Sequence, residues 1–367
     1  MDHRLPSSTR KGRGAASNVT GRFEVTTSEA IDDGWDLLDG WSADEGLPPL
    51  RTSVTVEHPK TIIARNKSPD VPFDRSINPY RGCEHGCVYC FARPTHAYQG
   101  LSPGLDFESR LFVKPDAAAL LEAELRKPNY KPATLAIGTN TDPYQPIERD
   151  WRIMRQVLEV LEAYNHPVSI VTKSALVLRD LDILAPMAAR GLAGVGISVT
   201  TLDRDLARKM EPRASGPARR LDAIRHLAGA GVPTACMAAP MIPGLNDHEL
   251  EAILEAAVDA GAGAAEYILL RLPLEIKELF SEWLDVHAPA RKNKVLNLIR
   301  ETRNGVLYNS DWGQRRSGVG TYAELLARRF RLARERLGIG HNPPAGFGLR
   351  TDLFTLPPRS GDQLNLF

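Results

Sequence analysis

Short apolar, β-forming runs alternate along the middle of the chain with segments whose apolar positions recur at helical spacing. The runs are Ser76–Tyr80, Thr134–Gly138, Val168–Thr172, Gly194–Thr200, Val232–Met241 and Ala265–Leu270. Between them, Met154, Val157, Leu158 and Leu161 share one helical face, and Leu250, Ile253, Leu254 and Ala257 share another. The second helix has a cap signal at Asn246 with Glu249 three positions on, and Gly261 marks its stop. Helices of this length between strands require right-handed crossovers and a parallel sheet. Six such units predict an α/β fold, a partial (β/α)6 barrel of the TIM type, short of the complete eight-unit one.

The two ends of the chain lack this rhythm. Residues 1–50 read as a disordered tail: Arg4, Arg10, Lys11, Arg13 and Arg22 come first, then eight acids between 23 and 50 with no Lys or Arg. Trp35 and Trp41 offer that tail a means of docking on the body. Residues 51–305 form the predicted core and 306–340 a basic helical extension. Positions 291–336 carry twelve Lys/Arg against four acids, a net of +8. Residues 341–367, rich in Pro and Gly at their start, read as a flexible tail.

Over all 367 residues, 46 Lys+Arg against 45 Asp+Glu give no overall sign of a dedicated nucleic-acid or membrane binder. No apolar run approaches a membrane span, and the polar, Arg-rich start has no apolar stretch of a secretory signal. The expected location is cytoplasmic. Four cysteines exclude a disulfide scaffold, and the clustering of three within eight positions reads as metal chemistry in a reducing compartment.

Those three, Cys83, Cys87 and Cys90, are spaced Cys-x3-Cys-x2-Cys with Tyr89 before the last. Thiolates suit zinc, Cu(I) or iron–sulfur clusters. A structural zinc site takes four ligands in two pairs, and no second pair is present; His85 would have to complete a Cys3His site. Cys236 sits in an apolar run and reads as packing. Three thiolates on one loop hold three irons of a [4Fe–4S] cluster and leave the fourth for an exogenous ligand. The loop begins where the first strand ends, the face on which parallel β/α barrels carry their active sites.

The triplet with its aromatic resembles that of the radical S-adenosylmethionine (SAM) enzymes, and the wider frame, about residues 55–305, is similar to their spore-photoproduct-lyase-like (SplB-like) branch. The resemblance implies a [4Fe–4S] cluster on the three cysteines and SAM chelated by the open iron. It also implies an external electron donor of flavodoxin or ferredoxin type. One-electron cleavage of SAM would then give methionine and a 5′-deoxyadenosyl radical that takes a hydrogen atom from substrate. By the same resemblance, SAM's amino group is recognised near Asn140, Thr141 and Asp142, a stretch that reads equally as a plain Asx/Pro turn. Lys173 and Ser198 match positions beside the SAM carboxylate and ribose, with Arg213 a further candidate. Met241 and Ile242, before Gly244, match the stretch that packs the adenine, with Leu269–Pro273 flanking it. Spore photoproduct lyases carry a hydrogen-donating cysteine near the second strand end, and the corresponding Ile137–Asp142 has none. The radical-generating machinery therefore carries over and the substrate does not.

Two features raise nucleic acid, and with it DNA repair, as a substrate class. Gln363, Leu364, Leu366 and Phe367 match the Gln-Leu-x-Leu-Phe consensus of bacterial sliding-clamp ligands, and the +8 stretch offers charge for a phosphate backbone. The competing reading is a non-catalytic, iron–sulfur- or zinc-stabilised nucleic-acid-binding protein.

Overall fold

The computed structural model describes residues 10–24, 50–339 and 347–358. Ten strands are present among them: β1 (Ser53–Val56), β2 (Ile63–Arg65), β3 (Arg75–Ile77), β4 (Tyr80–Arg81), β5 (Arg110–Val113), β6 (Leu135–Ile137), β7 (Val168–Thr172), β8 (Ala193–Ser198), β9 (Thr234–Met241) and β10 (Ala264–Leu269). A seven-stranded sheet runs in the order β10-β9-β8-β7-β6-β3-β2. Its strands β3 and β6–β10 pair in parallel, and β2 joins the β3 edge antiparallel. These six parallel strands are the six predicted ones, in the order of a partial barrel. Strands β3, β6 and β8 are buried at every position, as expected of a parallel sheet covered on both faces. Strands β1, β5 and β4 form a second, small sheet that the sequence pattern did not announce.

The sheet edges meet across a polar seam. Asp70, following β2, accepts the Gly313 amide at 2.7 Å and pairs with Arg315, while Arg316 donates to Glu266 on β10 at 2.6 Å. The Leu269 amide donates to the Arg316 carbonyl at 2.9 Å, so the extension satisfies part of the β10 edge.

The two helices read from the sequence are present, with one cap signal to correct. Glu148–Trp151 and Ile153–Ala163 are separate helices broken at Arg152, whose φ of 50° leaves the helical region; the apolar face at Met154, Val157, Leu158 and Leu161 is buried as expected. Asn246 does not cap Leu250–Asp259 with its side chain. Its Oδ1 accepts the Ile242 amide at 2.6 Å and its Nδ2 donates to the carbonyls of Thr200 and Pro240, tying two strand ends together.

Part of the charge of 291–336 is spent within the fold. Lys292 pairs with Asp285, Arg315 with Asp70, Arg316 with Glu266, Arg329 with Glu251 and Arg336 with Glu255. Arg303 is buried and donates to the carbonyls of Leu270 and Gln314. The helix Gly320–Leu337 thereby lies along Leu250–Asp259, while Arg291, Lys294 and Arg328 stay exposed.

Parts of both expected tails are packed. Residues 10–24 lie on the body, with Arg13 and Ala15 buried. Among residues 347–358, the Arg350 amide donates to the Gly191 carbonyl, and the Phe354 ring meets Tyr130, Tyr164 and His166. Trp35, Trp41 and the terminal Gln363, Leu364, Leu366 and Phe367 lie outside the described residues.

Candidate active site

All the strand-end stretches singled out in the sequence open on one face, at the C-terminal ends of the parallel strands. The cysteine loop leaves β3 through β4, with Cys83 and Cys87 buried and Cys90 half-buried. Cys83 packs with Ala92 and Phe107, Cys87 with Val88 and Tyr89, and Cys90 touches both groups. Burial pushes all three thiols above their usual range, and for Cys83 the nearby Cys87 and Cys90 push further in the same direction. Three thiols gathered in a dry pocket are costly to ionise alone. They fit a soft cationic centre that takes the place of their protons.

The loop is held from below by a buried polar network. Tyr89 Oη donates to Glu211, which also accepts from Thr200 Oγ1 at 2.6 Å and pairs with Arg220. Arg220 donates to the Ser198 carbonyl at 3.0 Å, and the Val88 amide to the Met210 carbonyl at 3.1 Å. Burial raises the Glu211 carboxyl above its ordinary value, with Arg220 opposing. None of Glu211, Thr200 or Arg220 was identified from the sequence, because nothing in the pattern ties Tyr89 to residues more than a hundred positions away.

Lys173, directly after β7, is a strand-end cation that lies beside the thiols. Its Nζ donates to Ser198 Oγ at 2.9 Å and lies 5.8 Å from the Tyr89 ring centre. Burial lowers its pKa, opposed first by Cys87, and no carboxylate of the described residues lies within ion-pair distance of it. The structure thus brings Lys173 and Ser198 together.

Asp142 is fully engaged by the protein. It accepts Thr172 Oγ1 at 2.7 Å, the Lys173 amide at 2.7 Å and the Tyr144 amide at 2.9 Å, with His85 Nδ1 3.3 Å away. Burial would raise its carboxyl, but His85 and these donors hold it down at about 2. Thr141 is tied to the Tyr80 carbonyl at 3.0 Å. Asn140 remains half-buried beside them. His85 therefore faces a carboxylate. Among the described residues, no three His, Cys, Asp or Glu side chains gather tightly enough for a single metal ion, whose thiolates would stand on the order of 4 Å apart.

Met241 and Ile242 are wholly buried, the first in the main core and the second with Cys87, Val88 and Tyr89. Arg213 pairs with Glu84 at 3.3 Å. Cys236 lies in the core, its thiol pushed up to about 12 by burial, in keeping with a packing role.

A partial parallel barrel with three thiols and, among the described residues, an ammonium without a carboxylate partner at its mouth is the frame of an iron–sulfur enzyme that binds a small carboxylate-bearing cofactor. Comparison with known proteins gives the family. The profile described as Radical SAM superfamily matches residues 77–257. The uncharacterized protein Rv2578c of Mycobacterium tuberculosis is 38% identical over 242 residues, 65% of this chain and 71% of that protein. The uncharacterized protein MJ0683 of Methanocaldococcus jannaschii is 29% identical over 173 residues, 47% and 62% of the two chains. Among solved structures, spore photoproduct lyase complexed with dinucleoside spore photoproduct superposes with a TM-score of 0.56 at 17% identity, over 77% of this chain and 79% of that one. A spore photoproduct lyase double mutant with bound AdoMet and the same dinucleoside gives 0.54 at 18%, over 77% and 78%. The chain belongs to the radical SAM superfamily, with a fold like that of spore photoproduct lyase. Its cofactors are the [4Fe–4S] cluster and SAM, and as a radical SAM enzyme it needs a reductant. No helix of the described residues is long and apolar enough to cross a membrane.

Proposed function

We propose that this enzyme cleaves SAM reductively and uses the resulting radical on a nucleic-acid substrate, in a reaction related to DNA repair. The gathering of Cys83, Cys87 and Cys90 beside the uncompensated Lys173 carries the reading. The three thiolates would hold the cluster, which when bound supplies the electron that splits the sulfonium and releases a 5′-deoxyadenosyl radical. Lys173 offers a buried ammonium to the SAM carboxylate, oriented by Ser198, which itself donates to the Ala239 carbonyl at 3.0 Å. Asp142 orients the strand-end loop through its three donors, leaving Asn140 as the free polar side chain for the SAM amino group. Ile242, packed against the cysteine loop, supplies apolar surface for the adenine and Met241 backs it. Burial of the loop keeps water from the reacting carbon.

For the substrate class, support comes from the fold shared with an enzyme solved with a dinucleoside photoproduct. The absence of a cysteine in Ile137–Asp142 argues for a different lesion or a different hydrogen donor. Anaerobically reconstituted protein is expected to hold about four irons, show an EPR signal that SAM perturbs, and release 5′-deoxyadenosine under dithionite. A Cys87→Ala variant should release none, and wild-type-like release from it would refute the reading.

A further inference from the structure

Residues 13–15 precede the first cysteine by nearly seventy positions, and they lie outside the stretch matched by the family profile. They nevertheless rest directly on the cysteine loop. A Cβ added at Gly14 would stand 1.8 Å from the Gly86 carbonyl oxygen and 3.4 Å from the Val88 amide nitrogen, so the two backbones touch with no room for a side chain. The Gly14 and Ala15 amides donate to the Glu108 carboxylate at 2.9 and 2.8 Å. Glu108 is entirely buried and also pairs with Arg93, likewise entirely buried. Arg93 in turn donates to the Cys87 carbonyl at 2.8 Å and the Gly86 carbonyl at 3.2 Å. Arg13 completes the arrangement, donating to the Glu108 carbonyl at 2.5 Å, the Leu50 carbonyl at 2.6 Å and Thr52 Oγ1 at 2.9 Å.

From this geometry we infer that Arg13, Gly14 and Ala15 are positioning residues for the cluster. They seal one side of the cysteine loop and, through Glu108 and Arg93, fix the backbone between Cys83 and Cys87. The inference rests on the radical SAM reading for its purpose, but the contacts are those of the chain itself. Charge-assisted hydrogen bonds to a buried carboxylate have short, preferred geometries, so a loop clamped by them has little freedom to splay. Without the clamp the barrel keeps its core, since the segment adds only Ala15 to the smallest apolar clusters. The loop, however, is opened to water on the side Gly14 covers.

The test uses the full chain in two forms. In cluster-free protein, alkylation rates of Cys83, Cys87 and Cys90 are followed by mass spectrometry, with the core residue Cys236 as internal reference. In reconstituted protein, the rate of cluster bleaching in air and the SAM-perturbed EPR signal are recorded. Arg13→Ala should raise both rates about tenfold, the order expected for losing hydrogen bonds from a charged group, with the Arg13→Lys variant intermediate, and Gly14→Ala, whose Cβ cannot fit against the Gly86 carbonyl, should raise them at least as much. Asn18→Ala, in the same segment, removes two exposed hydrogen bonds to Asp106 and none to Glu108, Arg93 or the cysteine loop, and should behave as the parent. Unchanged alkylation and bleaching in Gly14→Ala would overturn the inference. So would a parallel rise at Cys236, which would mean global loosening. A parent that takes up no cluster would defeat the radical SAM reading while leaving the alkylation result to decide the clamp.

Discussion

Replacing Lys173 with Met removes the ammonium while keeping an unbranched apolar stem of similar length. In the folded chain the Nζ is buried and lowered in pKa, with one hydroxyl partner, Ser198 Oγ at 2.9 Å, and no carboxylate at ion-pair distance among the described residues. Such a group is a net cost to the cofactor-free protein, because burial disfavours the charged form and nothing fully offsets it. The substitution should therefore leave the stability of the cluster-free chain unchanged or raise it by about 1 kcal/mol. Its effect on SAM should have the opposite sign. A charge-assisted hydrogen bond to a carboxylate contributes about 1.5–3 kcal/mol, which corresponds to a rise in Kd of roughly 10- to 150-fold. Urea denaturation of the cluster-free protein gives the first quantity, and equilibrium dialysis of SAM against the reconstituted protein gives the second. The opposed signs separate a ligand-binding lysine from a structural one. Unaltered SAM affinity, or a loss of affinity that merely tracks lost stability, would refute the reasoning.

Two further outcomes are expected. Glu211→Ala should cost about 3–5 kcal/mol in denaturant unfolding, because it strands the buried Arg220, and it should slacken the loop at Tyr89; a cost under about 1 kcal/mol would contradict the network's role. His166, held by the Tyr130 hydroxyl at 2.7 Å, has its pKa lowered to about 4 by burial. Because the unfolded chain binds the proton more readily, the stability this neutral imidazole supports is complete above about pH 6.5 and is lost as pH falls toward 4. The total approaches about 3 kcal/mol. His96 is shifted the same way by its own burial, so the parent should still slope after His166→Phe, only less steeply between pH 7 and 5. An unchanged slope would show that His166 is not the titrating group.

The six parallel strands were legible because buried strands in such a sheet are continuous apolar runs, and the helices between them bury one face each. That the cysteine loop, Lys173 and Ser198 share one face was legible because strand ends fall on one face once the strand–helix alternation is read. What stayed hidden shares one physical cause: it is held by polar contacts between segments far apart in sequence, which leave no periodic trace. Gly14 lies in an Arg-rich stretch whose composition reads as a solvated tail, yet its amide meets Glu108, ninety-four positions away. Phe347 and Phe354 sit in a Gly- and Pro-rich stretch, yet a Cβ at Gly194 on β8 would collide with the Phe347 ring at 2.2 Å. Part of the net charge of 291–336 is hidden in the same way, since Arg315, Arg316, Arg329 and Arg336 find their acids on other elements. A local count of charge measures what a segment could offer to phosphate only when its partners are also local. Here the partners lie in the barrel, and the basic extension is better understood as the piece that closes the seam between β10 and β2. If nucleic acid is the substrate, the charge that meets it is to be sought among the exposed cations, Arg291, Lys294 and Arg328 among them, and not at Lys173, which the proposed function assigns to the SAM carboxylate.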